Sequence, residues 1–288
     1  MSLKLAVPNK GRLNERTMDV LRQAGLDIEN GAERKLYASV KNGGDMSVLF
    51  LRAQDIVRFV HSGAVDMGIT GWDIVLETDL EVEKLIDLGY GRCRLSVAVP
   101  EAMGITSAAD IPDGSTVATS FPHMAGKYFA GLGKNVNIIT VSGAAEVTPH
   151  LGVADVIVDL VSSGSTLKTN KLIEIAVIAE SQAVLVASKK SLPTKETEMR
   201  ELASAIESVL AAEDKRYLMA DVPVDMLDEA RGFLPGVAGP TVMNIAGRED
   251  IVAIHVVVDK SLIYDSVNRL KRIGATGILI VPIDRMVP

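Results

Sequence analysis

The chain has 288 residues, 48% of them hydrophobic, enough to bury two or three domain cores and too apolar for a disordered, collagen-like or coiled-coil class. With 30 Lys+Arg against 37 Asp+Glu the formal net charge is -7, which disfavours a general nucleic-acid binder. One cysteine, Cys93, excludes an intramolecular disulfide and a cysteine zinc site; it fits a reducing cytoplasm, as do a start without signal-peptide character and the lack of any membrane-length apolar run.

Residues 3–7 read as a buried strand stopped by Pro8-Asn9-Lys10-Gly11, and residues 15–24 as a helix closed by Gly25. A strand at 48–51, a helix at 53–60 ending near Gly63 and a strand at 67–71 continue a βαβ rhythm. That rhythm predicts a largely parallel sheet flanked by helices. Strands at 95–100, 116–119, 137–141 and 156–159 build a second α/β lobe, with a turn at Pro112-Asp113-Gly114-Ser115. The apolar run 183–187 returns the chain to the first lobe, so a double crossover leaves a ligand cleft between the two. Residues 195–212 predict a connector helix with Met199, Leu202, Ile206 and Val209 on one face. A strand at 216–220, a helix at 224–231, strands at 240–245 and 251–258, a helix at 260–273 closed by Gly274 and a strand at 278–281 then follow. Their order, βαββαβ, is that of a ferredoxin-like module, with a boundary near Asp214. The expected division is lobe I at 1–92 with 183–212, lobe II at 93–182, and a C-terminal domain at 213–288.

The strongest chemical signal is Asp155-Val156-Ile157-Val158-Asp159-Leu160-Val161-Ser162-Ser163-Gly164-Ser165-Thr166-Leu167. An apolar strand ends in a carboxylate, and small hydroxyl residues around one glycine lead into a helix start. Small side chains let backbone N–H groups approach an anion, hydroxyls add donors, and a helix start adds a favourable dipole. The segment reads equally as a phosphate cradle, with Asp159 beside it for sugar hydroxyls or a metal-bridged group, and as a plain Ser-rich loop with a helix cap. It is not a Walker loop, and Gly131-Leu132-Gly133 lacks the third glycine of a dinucleotide fingerprint.

Pro8-Asn9-Lys10-Gly11-Arg12-Leu13 puts two cations directly after a strand, where open α/β sheets take ligands; a solvated basic turn has the same sequence. Arg52 also follows a strand. Asp66-Met67-Gly68-Ile69-Thr70-Gly71-Trp72-Asp73 offers either a ligand wall or glycines serving the backbone with Trp72 in packing. Cys93 lies between Arg92 and Arg94, which could lower its pKa if it does more than pack. His61, His123, His150 and His255 are scattered, without metal-ligand spacing, and no Gly-x-Ser-x-Gly elbow occurs.

Glu146, Gly152, Ala154, Ile157, Asp159, Leu160, Ser163, Gly164, Thr166 and Leu167 match position by position a pattern of the ATP phosphoribosyltransferase family. Residues 6–13 and 66–71 resemble the same family. The C-terminal module makes the chain similar to the family's long form, which opens histidine biosynthesis, and the resemblance covers essentially the whole chain. It implies an α/β fold: a two-lobed, periplasmic-binding-protein-like catalytic part plus a ferredoxin-like regulatory domain. It implies attack of the ATP purine N1 on the anomeric carbon of phosphoribosyl pyrophosphate. Mg²⁺ would be bridged by the substrate rather than held in a dedicated protein cage, with help from Asp159.

Carried over by position, Ser162, Ser163, Gly164, Ser165, Thr166 and Leu167 would hold the 5′-phosphate. Asp159 would contact the ribose hydroxyls, with Asp155 nearby and Glu146 lining the site. Lys10, Gly11, Arg12 and Arg52 would serve pyrophosphate or ATP phosphates, with Asp66, Thr70 and Gly71 on the opposing wall. Histidine, the family's feedback inhibitor, would use Asp221, Thr241, Gly274 and Ala275, which a strand-end Asp, a strand Thr and a helix-capping glycine explain as well. The further expectations are a cytoplasmic homo-oligomer, dimer and/or hexamer, with no separate regulatory subunit and no nucleic-acid or membrane partner. The rival is a non-catalytic two-lobed small-molecule-binding or regulatory protein.

Overall fold

The computed structural model describes residues 2–28, 36–41, 45–234 and 239–287. The chain forms two compact units, residues 1–203 and 204–288.

In the first unit the chain runs through β1 (Leu3–Pro8), α1 (Gly11–Gln23), β2 (Tyr37–Ser39), β3 (Met46–Leu51), α2 (Ala53–Ser62), β4 (Met67–Gly71), α3 (Trp72–Thr78) and β5 (Glu83–Asp87). It crosses to a second lobe of β6 (Cys93–Pro100), β7 (Thr116–Thr119), α4 (Pro122–Gly131), β8 (Asn137–Thr140), β9 (Val156–Val161), α5 (Ser165–Thr169) and β10 (Leu172–Ser181). It returns through β11 (Ala183–Ala187) to α6 (Leu192–Glu213).

Lobe I is a six-stranded sheet in the order β2-β3-β1-β4-β11-β5, with β1 parallel to β3 and β4. Lobe II is a five-stranded sheet in the order β10-β6-β9-β7-β8, with β7 parallel to β8 and β9. All five residues of β4, Met67-Gly68-Ile69-Thr70-Gly71, are buried, as in a strand covered on both faces. Gly68 is needed there, because a Cβ would lie 2.4 Å from Ile56 Cγ2 of α2. The core of lobe II gathers Leu95, Val97 and Val99 of β6 with Val156 and Val158 of β9 and Phe129 of α4.

The lobes are joined by the segments 88–92 and 182. They are laced together where the Leu88 N–H donates to Ala183 O and the Ala183 N–H to Tyr90 O, both at 2.9 Å. Short, hydrogen-bonded crossovers of this kind make a hinge.

The second unit carries β12 (Lys215–Pro223), α7 (Leu227–Phe233), β13 (Thr241–Asn244), β14 (Ile251–Asp259), α8 (Ile263–Arg272) and β15 (Thr276–Pro282). The βαββαβ order is the expected one, and the sheet order is β13-β14-β12-β15. Leu218, Ala220 and Val222 of β12 and Ile254, Val256 and Val258 of β14 alternate inward with Ala230 of α7 and Leu270 of α8. The division of the chain falls inside α6, ahead of the expected boundary near Asp214. The C-terminal tail explains it: the Met286 N–H donates to Ser208 O at 2.8 Å and Arg285 Nε to Ser208 Oγ at 2.9 Å, which ties the second half of α6 to this unit.

Candidate active site

β9 delivers Asp159 to the carboxyl edge of the lobe II sheet, and the chain then turns through Ser162 and Ser163 into α5. Gly164 makes that turn in the left-handed region, at φ +76°, where a side chain would strain the backbone. Ser162, Ser163, Ser165 and Thr166 are exposed and Leu167 is buried, so the hydroxyls face outward from an anchored loop. The Ser163 and Ser165 hydroxyls meet at 3.0 Å. Arg94 of β6 steadies the turn from behind. Its Nη1 donates to Ser162 O at 3.3 Å, while Nε and Nη2 each hold Glu174 of β10 at 2.5 Å.

A cavity of about 430 Å³ opens on this loop, lined by Glu146, Asp159 and residues 160–167. Burial pushes the Asp159 carboxyl above the ordinary aspartate range; the Leu160 N–H, which it accepts at 2.8 Å, works against that and the Glu146 charge adds to it.

Asp155, in contrast, is not brought here. It precedes β9 and stands at the amino end of that strand, where its Oδ2 accepts the Thr116 N–H at 2.8 Å. The same geometry corrects Asp66, which precedes β4 and faces away from the cleft. Asp66 is buried, 2.7 Å from Lys195 Nζ, and accepts the Lys4 N–H at 2.8 Å. Burial alone would raise its carboxyl pKa, but hydrogen bonds from Lys195, Ser191 and Lys4 and the Lys195 charge outweigh it and hold the group below the ordinary value.

Lys10, Gly11, Arg52, Thr70 and Gly71 all come to the carboxyl edge of β1, β3 and β4. Lys10 and Arg52 precede the first residues of α1 and α2 and are exposed, and Gly11 turns at φ +81°. The Arg12 side chain lies outside the described residues. Thr70 is buried and spends its hydroxyl on Ala53 O at 3.0 Å. Gly71 lets Asp73 fold back, since a Cβ would lie 2.3 Å from Asp73 Oδ1.

The wall of lobe I is instead built by residues that sequence reasoning did not single out. A cleft of about 520 Å³ is lined by Gln54 and Arg58 of α2, Asp73 and Glu77 of α3, and Ser120, Asp159 and Leu160 of lobe II. Asp159 thus lines both cavities. Asp73 is buried and accepts from Ser181 Oγ at 2.5 Å, while its own N–H donates to the same hydroxyl at 2.9 Å. Burial raises the Asp73 carboxyl pKa, partly offset by Ser181 and by the N–H groups of Asp73 and Ile74. The spacing of Asp73 and Glu77 on one helix face was the available signal. Cys93 is no activated thiol: burial pushes its pKa up, and the Asp73 charge adds to the shift.

In the second unit β12 continues through Asp221 to Pro223, so Asp221 lies within the strand rather than after it. It pairs with Thr276, next to the turn at Gly274 (φ +80°) and Ala275. Thr241 pairs with His255 on β14, and His255 pairs with Met219 on β12, so the structure joins Asp221 to the turn and sets Thr241 two strands away, across β14, on the same face. Among the described residues no three His, Cys, Asp or Glu converge as a metal cage, and no helix is long and apolar enough to cross a membrane.

Comparison with known proteins covers the chain end to end. The HisG family model, ATP phosphoribosyltransferase, matches residues 52–208, and the HisG C-terminal domain matches residues 212–285. An ATP phosphoribosyltransferase of Methanococcoides burtonii is 46% identical over 286 residues, 99% of this chain and 100% of the relative. One from Methanosarcina mazei is 48% identical over 291 residues, with the same coverage. A solved chain of the ATP phosphoribosyl transferase (HisG:HisZ) complex from Thermotoga maritima is 30% identical with a TM-score of 0.62, covering 71% of this chain and 98% of that one.

Proposed function

This chain belongs to the ATP phosphoribosyltransferase family and is a transferase of histidine biosynthesis; from that premise we propose how its cleft performs the transfer. N1 of the ATP purine attacks the anomeric carbon of phosphoribosyl pyrophosphate. The bond from that carbon to the pyrophosphate oxygen breaks, pyrophosphate leaves with the electron pair, and N1-(5-phosphoribosyl)-ATP forms. The barrier is departure of a charged group from a sugar with oxocarbenium character. Positioning and charge compensation therefore matter more than a protein nucleophile.

The observation that carries this reading is the position of Asp159, shared between the serine loop and the interlobe cleft. The loop from Ser162 to Leu167 takes the 5′-phosphate on its hydroxyls and backbone. Asp159 holds the ribose hydroxyls at the point where the sugar meets the purine, and Glu146 borders the same cavity. The exposed cations Lys10 and Arg52 meet the polyphosphates, with Gly11 giving room at the strand end. Asp73 faces the substrates from lobe I. The paired Asp159 and Glu146 offer hard oxygen donors that suit Mg²⁺ brought in on pyrophosphate. When bound, that ion spreads the charge of the leaving group.

Initial rates with ATP, phosphoribosyl pyrophosphate and Mg²⁺, read from the adenine ultraviolet change, test the assignment; signal must vanish when either substrate is omitted. Replacing Gly164 by valine forces a β-branched side chain to φ +76°. The KM for phosphoribosyl pyrophosphate should then rise at least about tenfold while the KM for ATP moves far less. Equal rises in both would separate the loop from the phosphate.

The C-terminal module reads as a histidine sensor, with the Asp221 carboxylate meeting the ligand's ammonium or imidazole and the Gly274-Ala275 turn and Thr241 supplying the remaining polar contacts. Asp221→Asn should weaken histidine inhibition at least about tenfold and leave uninhibited turnover unchanged, because a charge-assisted hydrogen bond contributes about 1.5–3 kcal/mol. Inhibition curves at fixed substrate decide it, and an unmoved midpoint removes Asp221 from the sensor. With a sensor of its own the chain needs no separate regulatory subunit. It works as a cytoplasmic homo-oligomer.

A further inference from the structure

Helix α4 begins without a local cap. Phe121, at its N-cap, offers no side-chain acceptor, and Pro122 in the first turn has no N–H. The next two amides, of His123 and Met124, donate instead to Glu77 of the opposite lobe, at 2.9 Å to Oε1 and 3.0 Å to Oε2. A carboxylate at this place satisfies two orphan donors and meets the positive end of the helix. Beside it His123 Nε2 lies 3.8 Å from Asp79 Oδ2.

Glu77 is also placed where such a bond has leverage. The first turn of α3 is pinned to the hinge: the Trp72 N–H donates to Gln182 O and the Asp73 N–H to Ser181 Oγ, both at 2.9 Å. Glu77 lies four residues along the same helix face, roughly 6 Å further from the hinge. One rigid helix therefore carries Asp73 at its root and the interlobe bond at its tip, and both line the cleft opposite Asp159.

We propose that Glu77 is a positioning residue, a clamp that caps α4 across the cleft and so fixes the separation of Asp73 from Asp159. It need not touch either substrate. It raises the fraction of molecules whose cleft is closed to binding width, and apparent affinity scales with that fraction. The inference rests on the cleft being the reaction site, and its test is chosen to be separable from that reading.

In the full-length chain, Glu77→Ala should speed hydrogen exchange at the His123 and Met124 amides by at least about tenfold. It should raise the KM of both substrates about tenfold while kcat stays within about threefold, the signature of lost closure rather than lost chemistry. Glu77→Gln keeps one acceptor of similar reach and should fall between wild type and alanine on both readouts. It also serves if the alanine variant folds poorly. Unchanged exchange at the two amides overturns the clamp. So does a fall in kcat at unchanged KM, which would put Glu77 on the reacting groups themselves. The exchange measurement needs no turnover: faster exchange with wild-type kinetics also overturns the clamp, since the bond would then be real but without hold on the binding width. That outcome leaves the cleft around Asp159 as the reaction site, which the Asp159 variants test separately.

Discussion

Asp159→Ala should lower turnover at least about a hundredfold, the usual cost of losing one preorganised polar partner of a charge-developing transition state. The fold should survive it. The carboxyl is held above its ordinary pKa, so the folded chain binds a proton at this site more readily than the unfolded chain does. Stability then falls as pH rises through the window above the ordinary aspartate value, and at neutral pH the ionised group costs folding free energy. Asp159→Asn keeps an oxygen for the Leu160 N–H and removes that cost. It should therefore melt no lower than wild type at pH 7, and higher if the penalty is fully released, while turnover collapses. The acid limb of the wild-type kcat/KM profile should lie above the ordinary aspartate range, because the ionised form is the one that holds the sugar. Calorimetry and initial rates on the same preparations read both effects. Turnover within threefold of wild type would take Asp159 out of the reaction.

Lys195→Met should produce the largest loss of stability. Lys195 sits at a break in α6, with φ -134° and ψ 19°, and reaches back beneath the lobe I sheet to Asp66 and to Ser2 O, both at 2.7 Å. Its side chain is 14% exposed and that of Asp66 is 6% exposed, so removing the ammonium strands a buried carboxylate. Such a loss costs about 3 kcal/mol, near the low end of the range because Lys4 and Ser191 still hold Asp66. For a unit of this size the melting temperature should fall by roughly 6–12 °C. The surface pair Arg200–Glu196, 70% and 55% exposed, is the control, and its loss should shift melting by less than about 4 °C. Adding Asp66→Asn to Lys195→Met should recover part of the loss. Because the native Asp66 pKa is lowered, the contribution of the pair is present above the ordinary aspartate value and fades as pH drops through the native one.

The serine loop was legible because its signal is local: strand, carboxylate, small residues and helix start are consecutive. The βαβ rhythm of lobe I and the six elements of the C-terminal module were legible through periodicity. Asp66 and Asp155 were misplaced for one reason. Each stands next to the right strand, but ahead of it, and a residue that precedes a strand emerges at the opposite edge of the sheet from one that follows it. Asp73 and Glu77 escaped notice because their partners are remote: Ser181 is 108 residues from Asp73, and His123 is 46 from Glu77. β5, with the sequence EKLID, is short, charged and at a sheet edge, so it lacks the apolar run that marks an interior strand.

The place of β11 bears on how the protein is made. β11 lies between β4 and β5 and is buried along its whole length, yet it is synthesised only after all of lobe II. More than a hundred residues separate it from β4. At ribosomal speeds of about 5–20 residues per second, β4 waits roughly 6–22 s with an apolar edge unsatisfied. Lobe I therefore cannot mature before lobe II on the ribosome, and the nascent chain passes through a stage with an open, aggregation-prone strand edge. Expression faults in variants of lobe II would then surface as misfolding of lobe I.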